Sequence, residues 1–186
     1  MTKNEIRDRI KRARTSLGAE DKMEKSKSAQ EYLIRTAEYR CAKSIMLYYP
    51  LGSEVETALI AKTAFADGKR VIYPVTDEKS GEITPIEVTE DARFERGGFG
   101  IYEPHGEAYE GKIDIVIIPG VAFDREGGRL GFGKGCYDAF LGSIDTFKVG
   151  LCYGVQLVDE VPTEEHDIKM DMIVTECGII VIKKNA

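Results

Sequence analysis

The stretch Ile113-Asp114-Ile115-Val116-Ile117-Ile118 constrains this chain more than any other. It is rich in β-branched residues, apolar at nearly every position, and stops at Pro119-Gly120. A strand with one wet face alternates apolar and polar residues. A near-continuous apolar run is the pattern of a strand buried on both faces, as in a parallel sheet covered by helices. Ser44–Tyr49 before Pro50, Val71-Ile72-Tyr73 before Pro74, Phe147–Tyr153 and Gly178–Lys183 read as further strands, with a weaker one over 82–88. Between them lie helical patterns. One covers 3–16, with Ile6, Ile10, Ala13 and Leu17 on one stripe. The others cover about 20–38, Glu56–Asp67 and a short segment around 135–143. Residues 90–112, with five glycines and a proline, read as irregular. Strands alternating with helices predict an α/β fold with a largely parallel sheet covered by helices on both faces.

A chain of 186 residues can bury ~70% of its unfolded surface without staples. The pattern predicts a single domain over 1–186, with the N-terminal basic helices, about 3–38, packing on the α/β body. A charged share of 31% beside 42% hydrophobic residues argues against a disordered chain. No apolar run approaches the ~18 residues of a spanning helix, so no membrane association is expected. The first residues lack the apolar core of a secretory signal, and a cytoplasmic location is expected. Cys41, Cys136, Cys152 and Cys177 form no C-x-x-C pair and are expected to be reduced, buried thiols.

The net charge of −6 disfavours a general nucleic-acid binder. Within residues 1–15, however, Lys3, Arg7, Arg9, Lys11, Arg12 and Arg14 face only Glu5 and Asp8, a local charge of +4. Lys3, Arg7 and Arg14 are spaced by 4 and 7, which puts them on one helix face. Such a face is either solvated or suited to an anionic ligand such as a polyphosphate.

The loop after the central strand carries the chemistry. Gly128, Gly131, Gly133 and Gly135 let the backbone approach a ligand closely and turn N–H groups toward an anion. Lys134 and Arg129 add cations, and the helix starting near Gly135 adds its positive end. Gly128 to Lys134 fits G-x-x-x-x-G-K, but Gly135 stands where a P-loop has Ser or Thr for Mg²⁺. Any metal must therefore be held elsewhere, and Asp138 is the nearest carboxylate. His105 and His166 sit in no nucleophile pattern, so a catalytic triad is not expected.

The whole set of motifs resembles the 5-formyltetrahydrofolate cyclo-ligase family. Arg129-Leu130-Gly131-Phe132-Gly133-Lys134-Gly135-Cys136-Tyr137-Asp138 resembles its R-L-G-x-G-K-G-x-Y-D segment. Lys3–Arg7 is similar to its K-x-x-[LI]-R, Glu54-Val55-Glu56-Thr57 to E-[VI]-[DE]-T, and Gly100–Pro104 to G-I-x-E-P. His166–Asp171 followed by Thr175-Glu176 resembles its H-D-x-x-x-D…T-E. Cys136 replaces the Tyr common in that family.

The resemblance implies an α/β sandwich like that of sugar-phosphate isomerases and CoA transferases. It implies a ligase that closes a ring at the expense of ATP, with Mg²⁺, turning 5-formyltetrahydrofolate into 5,10-methenyltetrahydrofolate in one-carbon metabolism. Lys134 and Arg129 would act on the transferred phosphoryl group. Lys3, Arg7 and the stretch Arg129, Leu130, Gly131, Phe132, Gly133, Lys134, Gly135, Cys136 and Tyr137 would bind ATP. Tyr49, Glu54 and Tyr137 would bind the folate, and Asp138 and Asp167 the metal. Arg9, Lys11 and Arg12 would remain solvent charge. The expected partners are these two small molecules, with no nucleic acid and no membrane, in a monomer or weak homo-oligomer. Two alternatives stand: a sugar-phosphate isomerase-like enzyme on a related fold, and a non-catalytic nucleotide or folate binder.

Overall fold

A computed structural model describes residues 1–164 and 166–183. Its elements, in chain order, begin with α1 (Lys3–Ser16), α2 (Ala19–Ile34), α3 (Ala37–Cys41), β1 (Ser44–Met46) and α4 (Ala58–Ala66). Then come β2 (Arg70–Thr76), β3 (Ile83–Val88), β4 (Phe94–Arg96), β5 (Tyr102–Pro104), β6 (Ile115–Ile118), β7 (Ala122–Phe123) and β8 (Arg129–Leu130). The chain continues through α5 (Cys136–Gly142), β9 (Phe147–Leu151), β10 (Met172–Thr175) and β11 (Gly178–Val181).

Seven strands form one sheet in the order β11-β10-β9-β6-β1-β2-β3. β2, β1, β6, β9 and β10 run parallel. β3 and β11 close the two edges antiparallel. The fold is thus α/β with a mostly parallel, mixed sheet. Of the apolar run Ile113–Ile118, the strand itself is Ile115–Ile118, which lies at the centre and is buried throughout. Its residues alternate between two cores. Ile115 and Ile117 face one side with Ile45, Leu47, Val149 and Met172, where α2, α3 and α4 contribute Leu33, Tyr39 and Ile60. Val116 and Ile118 face the other side with Met46, Ile72 and Ile173, where α5 contributes Phe140 and Leu141. Cover on the two faces is therefore unequal: three helices against one short helix and the β7–β8 hairpin. α1 rests on that hairpin, burying Ile6 and Ile10 against Val121, Ala122 and Leu130.

Several expectations need correction. The helix expected over 20–38 is two helices, because Thr36 N-caps a new one by accepting the Tyr39 N–H at 3.2 Å. The helix expected from Glu56 starts at Ala58. Residues 90–112 are not wholly irregular: β4 and β5 pair as a hairpin whose Phe94 packs edge-on against Tyr73. β10 carries four buried residues in a row, three of them apolar, a run too short to stand out in sequence. Of the four thiols only Cys152 is buried; Cys136 is half-buried, and Cys41 and Cys177 are exposed. Among the described residues, no helix is long and apolar enough to cross a membrane.

Packing at the strand–loop junction is tight. A Cβ added at Gly150 in β9 would stand 2.5 Å from the Phe123 ring, itself fully buried. Gly150→Ala is expected to destabilise the fold by about 1–3 kcal/mol through overpacking. Phe123→Leu in the same chain should recover part of that loss in a urea melt. A midpoint unmoved by Gly150→Ala would mean that the ring has room to yield.

Candidate active site

The order β2-β1-β6-β9-β10 contains one reversal. The chain goes from β1 out to β2, then returns past β1 to β6. Ligands of open α/β sheets bind outside the carboxyl ends of the strands at such a switch point. A cavity of about 570 Å³ lies there, a volume suited to a small-molecule site. The segment after β1 supplies Tyr48, Tyr49, Leu51 and Glu54, and the segment after β6 supplies Pro119 and the residues from Arg129 to Asp138. α1 adds Lys3 and Arg7, and the loop before β10 adds Glu164, His166 and Asp167. All fifteen residues to which the motifs assign a role, from Lys3 to Asp167, line this one cavity.

α1 is fixed first by its own start. Thr2 and Glu5 form a capping box, and the half-buried helix face then turns Lys3 and Arg7 inward. Lys3 Nζ donates to Glu164 Oε1 at 2.7 Å and to Asp167 Oδ2 at 3.3 Å. The hydrogen bond to Glu164 raises the Lys3 pKa, so the ammonium stays charged. Arg7 Nε donates to the Gly131 carbonyl at 3.0 Å, and its Nη1 to Asn4. Arg14, on the same face, is buried and donates to Ser53 Oγ at 2.8 Å. Arg9, Lys11 and Arg12 are exposed.

The glycine loop is shaped from both ends. Asp124, buried, accepts N–H groups from Glu126, Gly128 and Val161 and so clamps the β7–β8 turn. Gly133 has φ +103°, and a Cβ there would meet the Arg7 guanidinium at 3.2 Å. Conformation and close approach both require glycine. Gly135, at φ +68°, begins α5. With seven residues, α5 offers the free N–H groups of its first turn rather than a long dipole.

Arg129 is buried and pairs with Asp138 Oδ2 at 2.7 Å, while Asp138 Oδ1 accepts the Ile168 N–H at 3.1 Å. Among the described residues the buried Arg129 Nε has no hydrogen-bond partner. Asp167 Oδ2 accepts the Glu164 N–H and lies within reach of Lys3. Among the described residues, no three His, Cys, Asp or Glu side chains converge into a metal cage. Asp138 and Asp167 are hard oxygen donors on one cavity wall. They fit a Mg²⁺ that takes one or two protein carboxylates and completes its shell with phosphates and water.

Tyr48, Tyr49 and Tyr137 also line the cavity. Tyr49 stacks with Tyr102 at 5.2 Å and Phe94 at 5.4 Å between ring centroids. Tyr137 lies within 5.7 Å of the Arg129 guanidinium, and burial raises its phenol pKa. Glu54 is 7% exposed and accepts only the Leu51 N–H, at 2.9 Å. It precedes α4 by four residues rather than opening that helix. Burial pushes its carboxyl up to about 7, against a weaker pull from the Arg14 charge.

That shift has a sign. The unfolded glutamate ionises near 4.5 and the folded one near 7, so between these pH values the folded state holds more protons. Stability from this group is complete below pH 4.5 and falls as pH rises through 7. Glu54→Gln should remove that fall, raising stability at pH 8 by about 2–3 kcal/mol relative to wild type and by little at pH 5. Equal melting shifts at the two pH values would place the Glu54 carboxyl in water.

Several lining residues carry no role in the motif reading: Phe99, Ile101, Glu103, Thr76 and Ile83. The Gly100–Pro104 motif carries no sequence sign of facing the glycine loop, yet Ile101 and Glu103 line the same cavity. His166 lines the cavity, whereas His105 pairs with Glu95 at the surface.

Fold and site together define an α/β protein whose cavity is lined by a cationic glycine loop, by tyrosines and by the buried Glu54 carboxylate. The profile of the 5-formyltetrahydrofolate cyclo-ligase family matches residues 1–176. Among sequence relatives, the 5-formyltetrahydrofolate cyclo-ligase of Haemophilus influenzae is 30% identical over 90% of this chain and 94% of its own. That of Mus musculus is 29% identical over 94% and 93%. The solved 5,10-methenyltetrahydrofolate synthetase of Aquifex aeolicus superposes with a TM-score of 0.87 at 33% identity, over 100% of this chain and 95% of its own. The Mycoplasma pneumoniae synthetase gives 0.75 at 26% identity, over 95% and 99%. This chain belongs to the 5-formyltetrahydrofolate cyclo-ligase family.

Proposed function

We propose that this protein converts 5-formyltetrahydrofolate to 5,10-methenyltetrahydrofolate, with MgATP consumed to ADP and phosphate. The observation that carries the reading is that one cavity is lined both by cations, Lys3, Arg7, Arg129 and Lys134 with the glycine loop, and by Tyr49, Glu54 and Tyr137.

A formamide carbon is a poor electrophile, and its oxygen leaves poorly. Attack of the formyl oxygen on the γ-phosphorus forms an O–P bond and releases ADP. N10 then attacks the activated carbon, its proton passes to solvent, and the C–O bond breaks with phosphate leaving. The protein's part is to align the two substrates and to balance spread negative charge. Lys134 and Arg129 face the transferred group. Lys3 and Arg7 bind phosphates from α1. Leu130 to Tyr137, including Phe132 and the half-buried Cys136, wrap the nucleotide. Asp138 and Asp167 would hold Mg²⁺, which would neutralise phosphate charge. Glu54, with one oxygen free of protein donors, accepts a pterin N–H and amino group in parallel. Binding such donors also favours its ionised form. Tyr49 and Tyr137 pack against the ring.

The test is a turnover assay with 5-formyltetrahydrofolate, with and without MgATP, read by the near-ultraviolet absorbance of the methenyl product. A band that grows only with MgATP supports the reading. Saturable folate or ATP binding with no band would make the protein a binder.

A further inference from the structure

Phe99 has an uncommon backbone conformation. It is the one non-glycine residue with positive φ among the described residues, at +54°. A bulky residue in that region is strained, and such strain persists only where its surroundings enforce it. Here they do. Glu78 Oε1 accepts the Phe99 N–H at 2.6 Å. Glu103, buried, accepts the Gly98 N–H with one oxygen and the Thr76 N–H with the other, at 3.3 and 2.8 Å. Two carboxylates thus bolt the β4–β5 loop to the end of β2 and the turn after it. The bolted loop puts the Phe99 ring into the cavity, with the Lys134 ammonium 3.4 Å from its centroid.

Lys134 has a long stem and sits in an exposed glycine-rich segment. No hydrogen bond or ion pair among the described residues otherwise directs it. A free lysine of this kind spreads over many rotamers, and a phosphate that binds it must first order it. The ring face attracts the cation and limits that spread, while leaving ammonium N–H groups directed away from the ring.

We propose that Phe99 is a positioning residue for Lys134: its ring holds the ammonium in the cavity before nucleotide arrives. The inference rests on the reading of Lys134 as a phosphate contact, and it explains why the loop tolerates a strained aromatic.

The test has two arms. In the ligand-free protein, NMR of the lysine ε-methylene groups should show Lys134 displaced upfield by the ring current. Phe99→Leu should abolish the displacement and Phe99→Tyr keep it. An undisplaced Lys134 signal in wild type overturns the proposal whether or not the protein binds ATP. In the second arm, Phe99→Leu should raise the Kd for MgATP about two- to fivefold, the scale of an exposed cation–π contact. Folate affinity should stay unchanged, and Phe99→Tyr should restore wild-type nucleotide binding. In a Lys134→Ala background, Phe99→Leu should have no further effect, since the two act as one unit. Equal effects of Leu and Tyr, or a full effect of Phe99→Leu without Lys134, would show that Phe99 acts on the loop or the ligand directly. Wild type that fails to bind MgATP at all would defeat the nucleotide reading, and the NMR arm would still decide the contact.

Discussion

Lys134→Ala is expected to lower kcat by about 10²–10³-fold, the usual loss when one preorganised donor to developing charge is removed. The argument is electrostatic. The transferred phosphoryl group spreads negative charge over its equatorial oxygens, and an ammonium fixed beside it gains most at that moment. Of the residues read as binding folate, Tyr49 and Glu54 come from the segment after β1, and Tyr137 alone shares the segment of Lys134. Folate affinity should therefore stay near wild type, and the loss should fall on kcat more than on the KM for folate. Lys134→Arg should not restore full rate, because a planar guanidinium cannot replace a compact charge at the same site. A change confined to folate affinity would move Lys134 to the folate contacts.

Asp138→Asn should strike both turnover and stability. Asp138 compensates Arg129, whose side chain is 5% exposed. Loss of one partner of a buried pair typically costs about 3–5 kcal/mol, since the other charge stays buried alone. Here the cavity lets some water reach Arg129, so the lower end of that range is expected. Asn keeps an acceptor for the Ile168 N–H, which separates charge from geometry. At saturating MgATP turnover should fall far more than folate binding. Asp167→Asn is the internal comparison, because its partner Lys3 is more exposed and can turn to water. It should reduce nucleotide-dependent turnover with little change in melting temperature. Unchanged turnover in Asp138→Asn at saturating MgATP would remove that residue from the reaction.

Phe99 and Lys134 show where sequence reading stops. G-x-G-K marks an anion loop wherever it occurs, because only glycine accepts the φ values and the close approach found at Gly133. Nothing local to residues 97–104 signals that a ring there will cover Lys134. Their contact spans two loops held by Glu78 and Glu103, whose acceptor roles depend on where β2 ends.

The sequence by itself determined the central strand, the strand–helix alternation, the anion loop and the motifs that assign the family. These are local properties: apolar spacing reports burial, and glycine and proline report backbone conformation. Only the tertiary structure decided which strands lie side by side, that the edges run antiparallel, and that the reversal beside β1 opens the cavity. It also decided that Lys3 meets Glu164 and Asp167 across more than 160 residues, and that Glu54 is buried deeply enough to ionise near neutral pH. The physical reason is that pairing partners, solvent exclusion and charge neighbours are set by contacts distant along the chain, and no local pattern carries them.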